Sequence, residues 1–327
     1  MCCRRQIYLL IILQLVFSPV HSEPATNAPL AVESLLLDAA SAATLTVVVG
    51  ERGHILYSED NSNWTQASVA TRSLLTAVFM LDDNTGWAVG HNAVIVKTSD
   101  GARTWQLVHE ADNDEAPLLD IYFSNAENGI AVGAYGLYYV TDDGGDNWQP
   151  QDISIENQEI FETHLMQPFD LHLNAIATAS DQRLYMAAER GYILRSDNGG
   201  NDWQVLTTPY HGSYFGLLPL SKDNVLAFGL RGHLYGTTDA GSSWNKIETD
   251  TTAMLTDAVV LNDQRIIISG MAGTLLSGSK DDLDFTMIPL VHRHDFSSLI
   301  HVRDQLLLVT GETGIDLIDL DRPAGEQ

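Results

Sequence analysis

Three arginines occupy one recurring setting in this chain. Arg52, Arg190 and Arg231 each stand in a short Gly/Ala-x-Arg-Gly segment that closes an apolar run. A guanidinium presents paired N–H donors in one plane, which suits a carboxylate. Three of them converging on a point would grip an acidic substrate; three spread along a rim would orient an acidic partner. The other titratable groups suggest less. His292 and His294 could share a face at i, i+2, and Asp112, Asp114 and Glu115 form an acidic loop. Neither set has a metal-ligand spacing, so no metal is expected. No phosphate loop, nucleophile elbow or dinucleotide fingerprint is present, so no catalytic residue is assigned and no cofactor is expected.

The elements that hold these residues follow from an internal repeat. Five segments align as Ser/Thr-x-Asp/Asn turns closed by tryptophan. Their acidic or amide residues are Asp60, Asp100, Asp143, Asn198 and Asp239, and their closing residues are Trp64, Trp105, Trp148, Trp203 and Trp244. The tryptophan spacings are 41, 43, 55 and 41, and a further step of 41 reaches Phe285. A second marker, a small residue followed three positions later by glycine (Ala93 varying the theme), recurs seven times, from Gly50/Gly53 to Gly311/Gly314. The one longer step reflects an insertion between Gln149 and Leu171.

Each repeat reads as four short strands broken by Gly, Asn and Asp turns. In the second, the expected strands are Leu74–Leu81, Trp87–Gly90, Ala93–Thr98 and Trp105–His109. Seven such units of about 40 residues predict an all-β, seven-bladed β-propeller of four-stranded antiparallel blades with Asp-box hairpins. The Asp-box residues have structural work to do: the Asp or Asn accepts backbone N–H groups of its own turn, glycine supplies positive φ, and tryptophan fills the gap between blades. The last repeat runs out after three strands, so the segment around 29–32 is expected to complete blade seven and close the ring.

Residues 1–22 read as a secretory signal peptide: Arg4 and Arg5, an apolar run from Ile7 to Phe17, then Val20 and Ser22 before cleavage at Glu23. Residues 23–327 form one domain. Both cysteines precede the apolar run, so lipidation there is not expected and the mature chain has no disulfide. A soluble periplasmic location is expected, without direct membrane insertion after cleavage. The net charge of −26 disfavours nucleic acid and anionic membrane surfaces as partners.

Gly86-Trp-Ala-Val-Gly90 through Thr98-Ser-Asp-Gly and Thr104-Trp105, Gly129–Gly136 and Ala227–Gly232 resemble the photosystem II stability/assembly factor-like propellers. The likeness spans roughly residues 34–320 and is nearest the bacterial, non-photosynthetic members. It implies an exported, non-catalytic scaffold that binds a protein partner, a membrane protein or complex, and assists its assembly. The photosynthetic members carry an arginine-rich patch on one face, to which Arg52, Arg190 and Arg231 correspond in part. Tyr135, Arg72, His211, Tyr214, His292, Arg293 and His294 belong to turns and loops expected on that same face. The enzymatic alternative is a sialidase-like glycoside hydrolase, since sialidases share Asp-boxes and use three arginines with a Tyr–Glu pair and an acid/base Asp. Its short N-terminal arginine motif is absent.

Overall fold

The computed structural model describes residues 23–111, 116–157, 159 and 171–322; the signal-peptide residues, Asp112, Asp114, Glu115 and Phe161 lie outside them. Seven sheets follow one another along the chain, each running antiparallel from an inner strand outward. The inner strands are Leu36–Ser41, Leu75–Met80, Leu118–Phe123, Leu173–Thr178, Tyr214–Pro219, Leu255–Val260 and Phe296–Arg303. Blades 1 and 3 to 6 have four strands, and blade 7 has three. Blade 2 gains a fifth, because Ser68–Val69 from the preceding connection pairs in parallel with Thr104 and Trp105. Ile155 makes the same parallel bridge to Trp203 at blade 4.

The apolar core is divided among the blade interfaces. Seven buried clusters, one between each pair of neighbouring blades, account for it. Trp105, Trp148, Trp203 and Trp244 each pack from their own blade onto the preceding one, and Phe285 does so from blade 6. Trp64 is only half-buried. A sheet blade that is apolar on both faces can be stable only when stacked, so ring closure is a condition of folding.

Every inner strand carries a bulge between its first and third residues, as between Leu36 and Asp38. The bulge explains the first small residue of the repeated marker. A Cβ at Gly50 would press into the carbonyl oxygen of Leu35, and one at Gly90 into that of Leu74. Glycine there is a matter of close approach, because the backbone is extended.

The closing segment differs from the sequence expectation. Residues 29–32 do not pair as a strand; Ala31–Glu33 forms a single 3-10 turn. Ala31 is buried in the core between blades 7 and 1, with Ala28 and Val32 beside it. The Val32 carbonyl lies where a Cβ on Gly314 would be, so the turn sits on the start of blade 7's third strand. Upstream, Ala25 N–H donates to Val69 O at 3.0 Å, and Gln66 Nε2 donates to Thr26 O at 3.0 Å. The segment therefore clasps blades 7 and 1 with side chains and a turn instead of a ladder. A chain starting at Ser34 is expected to lose on the order of 2 kcal/mol, from the apolar area of Ala28, Ala31 and Val32. Thermal unfolding checks this, and an unchanged midpoint would show that inner-strand contacts alone close the ring.

Candidate functional site

Propeller connectivity divides the turns between two faces. The turns between second and third strands, and the connections from one blade to the next, share one face. Their hydrogen bonds show it: Gly191 N–H donates to Gly212 O at 2.7 Å, and Gly273 N–H to His294 O at 2.8 Å. The Asp-box turns share the other face with the turns that follow the inner strands, as in Gly144 N–H to Glu127 O at 2.8 Å.

On the Asp-box face the acidic side chains are consumed by their own turns. Asp143 Oδ1 accepts the N–H groups of Asp146 and Asn147, and its Oδ2 accepts Asn147 Nδ2 at 2.7 Å. Asp239 binds Ser243 likewise, and Asn198 binds the N–H of Asp202. The hydrogen bond from the Asn147 side chain, then that from its backbone, hold the Asp143 carboxyl down at about 2. Asp60 and Asp100 are also lowered.

On the rim face, Arg52, Arg190 and Arg231 occupy equivalent turn positions of blades 1, 4 and 5, and all three are exposed. Their φ angles of 56°, 59° and 59° lie in the left-handed region, where arginine is disfavoured. Asn92, Tyr135 and Ala272 take the same conformation at their blades. Arg52 approaches only its neighbour Glu51, at 3.9 Å. Among the described residues Arg190 and Arg231 make no ion pair, whereas Arg183, just before a strand, and Arg195, on one, both reach Asp197.

The remaining rim residues divide. Tyr135 is 66% exposed and meets His172 edge-on at 4.7 Å. His211, His292 and Arg293 are exposed. His292 and His294 stack at 5.5 Å, and His294 Nδ1 stands 3.6 Å from Glu312. Arg72 Nη1 donates to Glu23 at 2.7 Å, so this arginine ties down the N-terminal segment. Tyr214 is a correction: it is fully buried between blades 4 and 5, with its hydroxyl 2.9 Å from Thr208. It starts an inner strand, in the column of Leu36 and Leu75, and cannot anchor a partner.

The central channel, a cavity of about 230 Å³, holds a feature the sequence reading missed. Asp38, Asp120 and Asp257 stand at the bulge of blades 1, 3 and 6. Each carboxylate accepts the next N–H of its own strand and reaches across to the following blade: Asp38 to Val78 N–H at 2.8 Å, Asp120 to Ile176 at 2.6 Å, Asp257 to Leu299 at 2.8 Å. Thr76, Asn174 and Thr256 donate to the next blade's carbonyls from the adjoining position. Desolvation pushes the three carboxyls up, to about 8, 7 and 6. Among the described residues no arginine, lysine or histidine lines this cavity. The signal was available as Leu-x-Asp at 36/38, 118/120 and 255/257.

The sequence profile described as "Photosynthesis system II assembly factor YCF48" matches residues 110–274, just over half of the 327 residues. Photosystem II assembly lipoprotein Ycf48 of Synechococcus sp. (strain CC9902) is 26% identical over 145 residues, covering 44% of this chain and 40% of that protein. Its namesake in Picosynechococcus sp. (strain ATCC 27264 / PCC 7002 / PR-6) is 24% identical over 209 residues, covering 60% and 56%. The chain thus spans about half the length of the curated relatives it matches. These relatives are cyanobacterial and lend no support to a place among non-photosynthetic members. Among solved structures, YCF48 from Cyanidioschyzon merolae superposes with a TM-score of 0.71 at 18% identity, covering 88% of this chain and 96% of that one. YCF48 bound to D1 peptide gives 0.69 at 15%, covering 90% and 98%. At such identities the likeness is one of fold. Among the described residues no helix is long and apolar enough to cross a membrane.

Proposed function

Because this chain belongs to the photosystem II assembly factor YCF48 family, we propose that it is an exported, non-catalytic scaffold whose rim face binds an acidic segment of a protein partner during assembly of a membrane-associated complex. The observation that carries this reading is the set Arg52, Arg190 and Arg231. These are exposed cations held at strained turn positions on one face of a protein of net charge −26. Six blades hold this turn position at positive φ, and three of the six carry arginine where asparagine would be more at ease, which supports a role beyond folding. The D1 peptide held by one matching propeller is a precedent for a peptide ligand. The relatives named lipoproteins support export. The sialidase-like alternative is disfavoured: its arginines would have to converge, but these lie on blades 1, 4 and 5, and the channel lining contains none.

The test changes all three arginines to asparagine, which is at ease at positive φ and already occupies this position as Asn92. Exposed charge contacts contribute about 0–1 kcal/mol each, so partner retrieval from the organism's own membranes should fall about tenfold at low salt. The deficit should shrink as salt rises. Retrieval equal to wild type by the folded variant, at low and moderate salt, would exclude this surface.

A further inference from the structure

A second cleft lies on the opposite face, between blades 3 and 4, with a volume of about 350 Å³. Its floor is one cross-strand row of blade 3: Tyr122 pairs with Ile130, Ile130 with Val140, and Val140 with Gln149. At a strand spacing of about 4.8 Å the row is roughly 14 Å long. It is apolar in the middle and hydrogen-bonding at both ends. Gln151 adds a second carboxamide on the same side, because residues i and i+2 of an extended segment share a face. The opposite wall is the backbone of Gly199 and Gly200 in the blade 4 turn, where a Cβ on Gly199 would meet only open space. Among the described residues Asp142 is the single charged one in the lining.

The cleft exists because of two residues. At the matching row of blade 2, Trp87 stacks on Phe123 at 3.5 Å and donates its indole N–H to Gly144 O at 3.1 Å, with Lys97 over its ring. At blade 4, Tyr185 is fully buried and Arg195 donates to Ala240 O at 2.9 Å. Blade 3 has Ile130 and Val140 at those positions. The depth that a large ring and a long cation fill at blades 2 and 4 is left open beside Val140, while Gly200 of the next blade closes on Ile130.

We propose that this cleft binds a neutral saccharide. A pyranose ring has an apolar C–H face and an equatorial rim of hydroxyls. Val140, half-buried, and the exposed edge of Ile130, itself only 7% exposed, offer a surface for the first. The planar carboxamides of Gln149 and Gln151 and the Tyr122 hydroxyl offer paired donors and acceptors for the second. None of these three side chains has a hydrogen-bond partner among the described residues, and the near-neutrality of the described lining selects against anionic sugars. The volume suits a disaccharide, within the lower range of ligand sites. This site is independent of the rim and of the partner bound there.

The test titrates maltose, cellobiose and chitobiose into the full chain with labelled isoleucine methyl groups. The Ile130 methyl signal is expected to shift with at least one of them, with a dissociation constant on the order of 1 mM. Gln149→Ala should weaken binding about tenfold. Ile130→Trp with Val140→Lys, which copies the pair that blade 2 already accommodates, should abolish binding measured by calorimetry in a variant that still folds, with a lowered melting temperature because Ile130 is buried. The proposal is overturned if no saccharide moves the Ile130 signal, or if binding survives the filled cleft. It is also overturned if a neutral glycine-rich peptide moves that signal and no sugar does.

Discussion

Trp203→Ala will destabilise the protein by about 3–5 kcal/mol, and Trp64→Ala by about 1 kcal/mol, although the two residues close equivalent repeats. Trp203 is fully buried between blades 3 and 4 among Tyr138, Leu184, Leu194 and Val205. Its indole N–H donates to the Tyr138 hydroxyl at 3.2 Å, and that hydroxyl donates to Gly200 O at 2.8 Å. Removing the ring leaves a cavity and takes away one link of a buried chain. Trp64 is half-buried against the smaller core between blades 7 and 1, so truncation there opens a gap that water can enter. Trp148 should fall between them, because it is 5% exposed and its Nε1 has no hydrogen-bond partner among the described residues. Denaturant titration of the three variants checks the order. Equal losses at Trp203 and Trp64 would mean that repeat position, not local packing, sets the contribution of each tryptophan.

The same contrast explains what the sequence makes legible. Blade number follows from tryptophan and glycine spacing because each blade must meet one geometric demand, a fixed turn and a fixed close approach. The rim position of Arg52, Arg190 and Arg231 follows from the same register. Tyr214 follows an aromatic, histidine-bearing stretch that reads as a loop, yet aligning it with Leu36, Leu75 and Leu118 places it at the buried start of an inner strand. The segment 29–32 is apolar but lacks alternation, and a single buried Ala31 with a carbonyl against Gly314 satisfies it better than a strand would. The cleft between blades 3 and 4 was invisible because Ile130 and Val140 are ordinary strand residues. Only the register that sets them opposite Trp87 and Lys97 shows what is missing. The channel carboxylates are local in sequence as Leu-x-Asp, but their consequence depends on which strand of the next blade offers the N–H.

Those carboxylates should make the protein less stable at pH 8 than at pH 5. Burial is the first cause of the upward shift of Asp38, Asp120 and Asp257, and for Asp38 the charges of Asp257 and Asp120 add to it. Backbone N–H donors oppose the shift without cancelling it. In the unfolded chain an aspartate titrates near its ordinary value of about 3.9. A raised folded value means that the folded state holds protons the unfolded state has released, so this contribution is complete below about pH 4 and fades as pH climbs through 6, 7 and 8. The Asp-box carboxyls act in the opposite sense and at lower pH. Asp143 and Asp239, held at about 2, add stability above their ordinary range and lose it on strong acidification. Groups facing the channel carboxylates from the other blades are Thr76, Asn174, Thr256, Ser297 and Ser298, none of which titrates in this window. Each unit by which a carboxyl's folded-state value stands above 5 removes about 1.4 kcal/mol of stability between pH 5 and pH 8. Changing all three to asparagine separates charge from shape. The amide keeps one acceptor but sets an NH₂ or an unmatched contact against the next blade's N–H, so the variant should be less stable than wild type at pH 5. The gap should narrow steadily toward pH 8, because the variant has no channel charge to develop. Melting temperatures across that range decide the matter: a gap between wild type and variant that stays constant with pH would show that the three carboxyls keep their ordinary protonation in the folded ring.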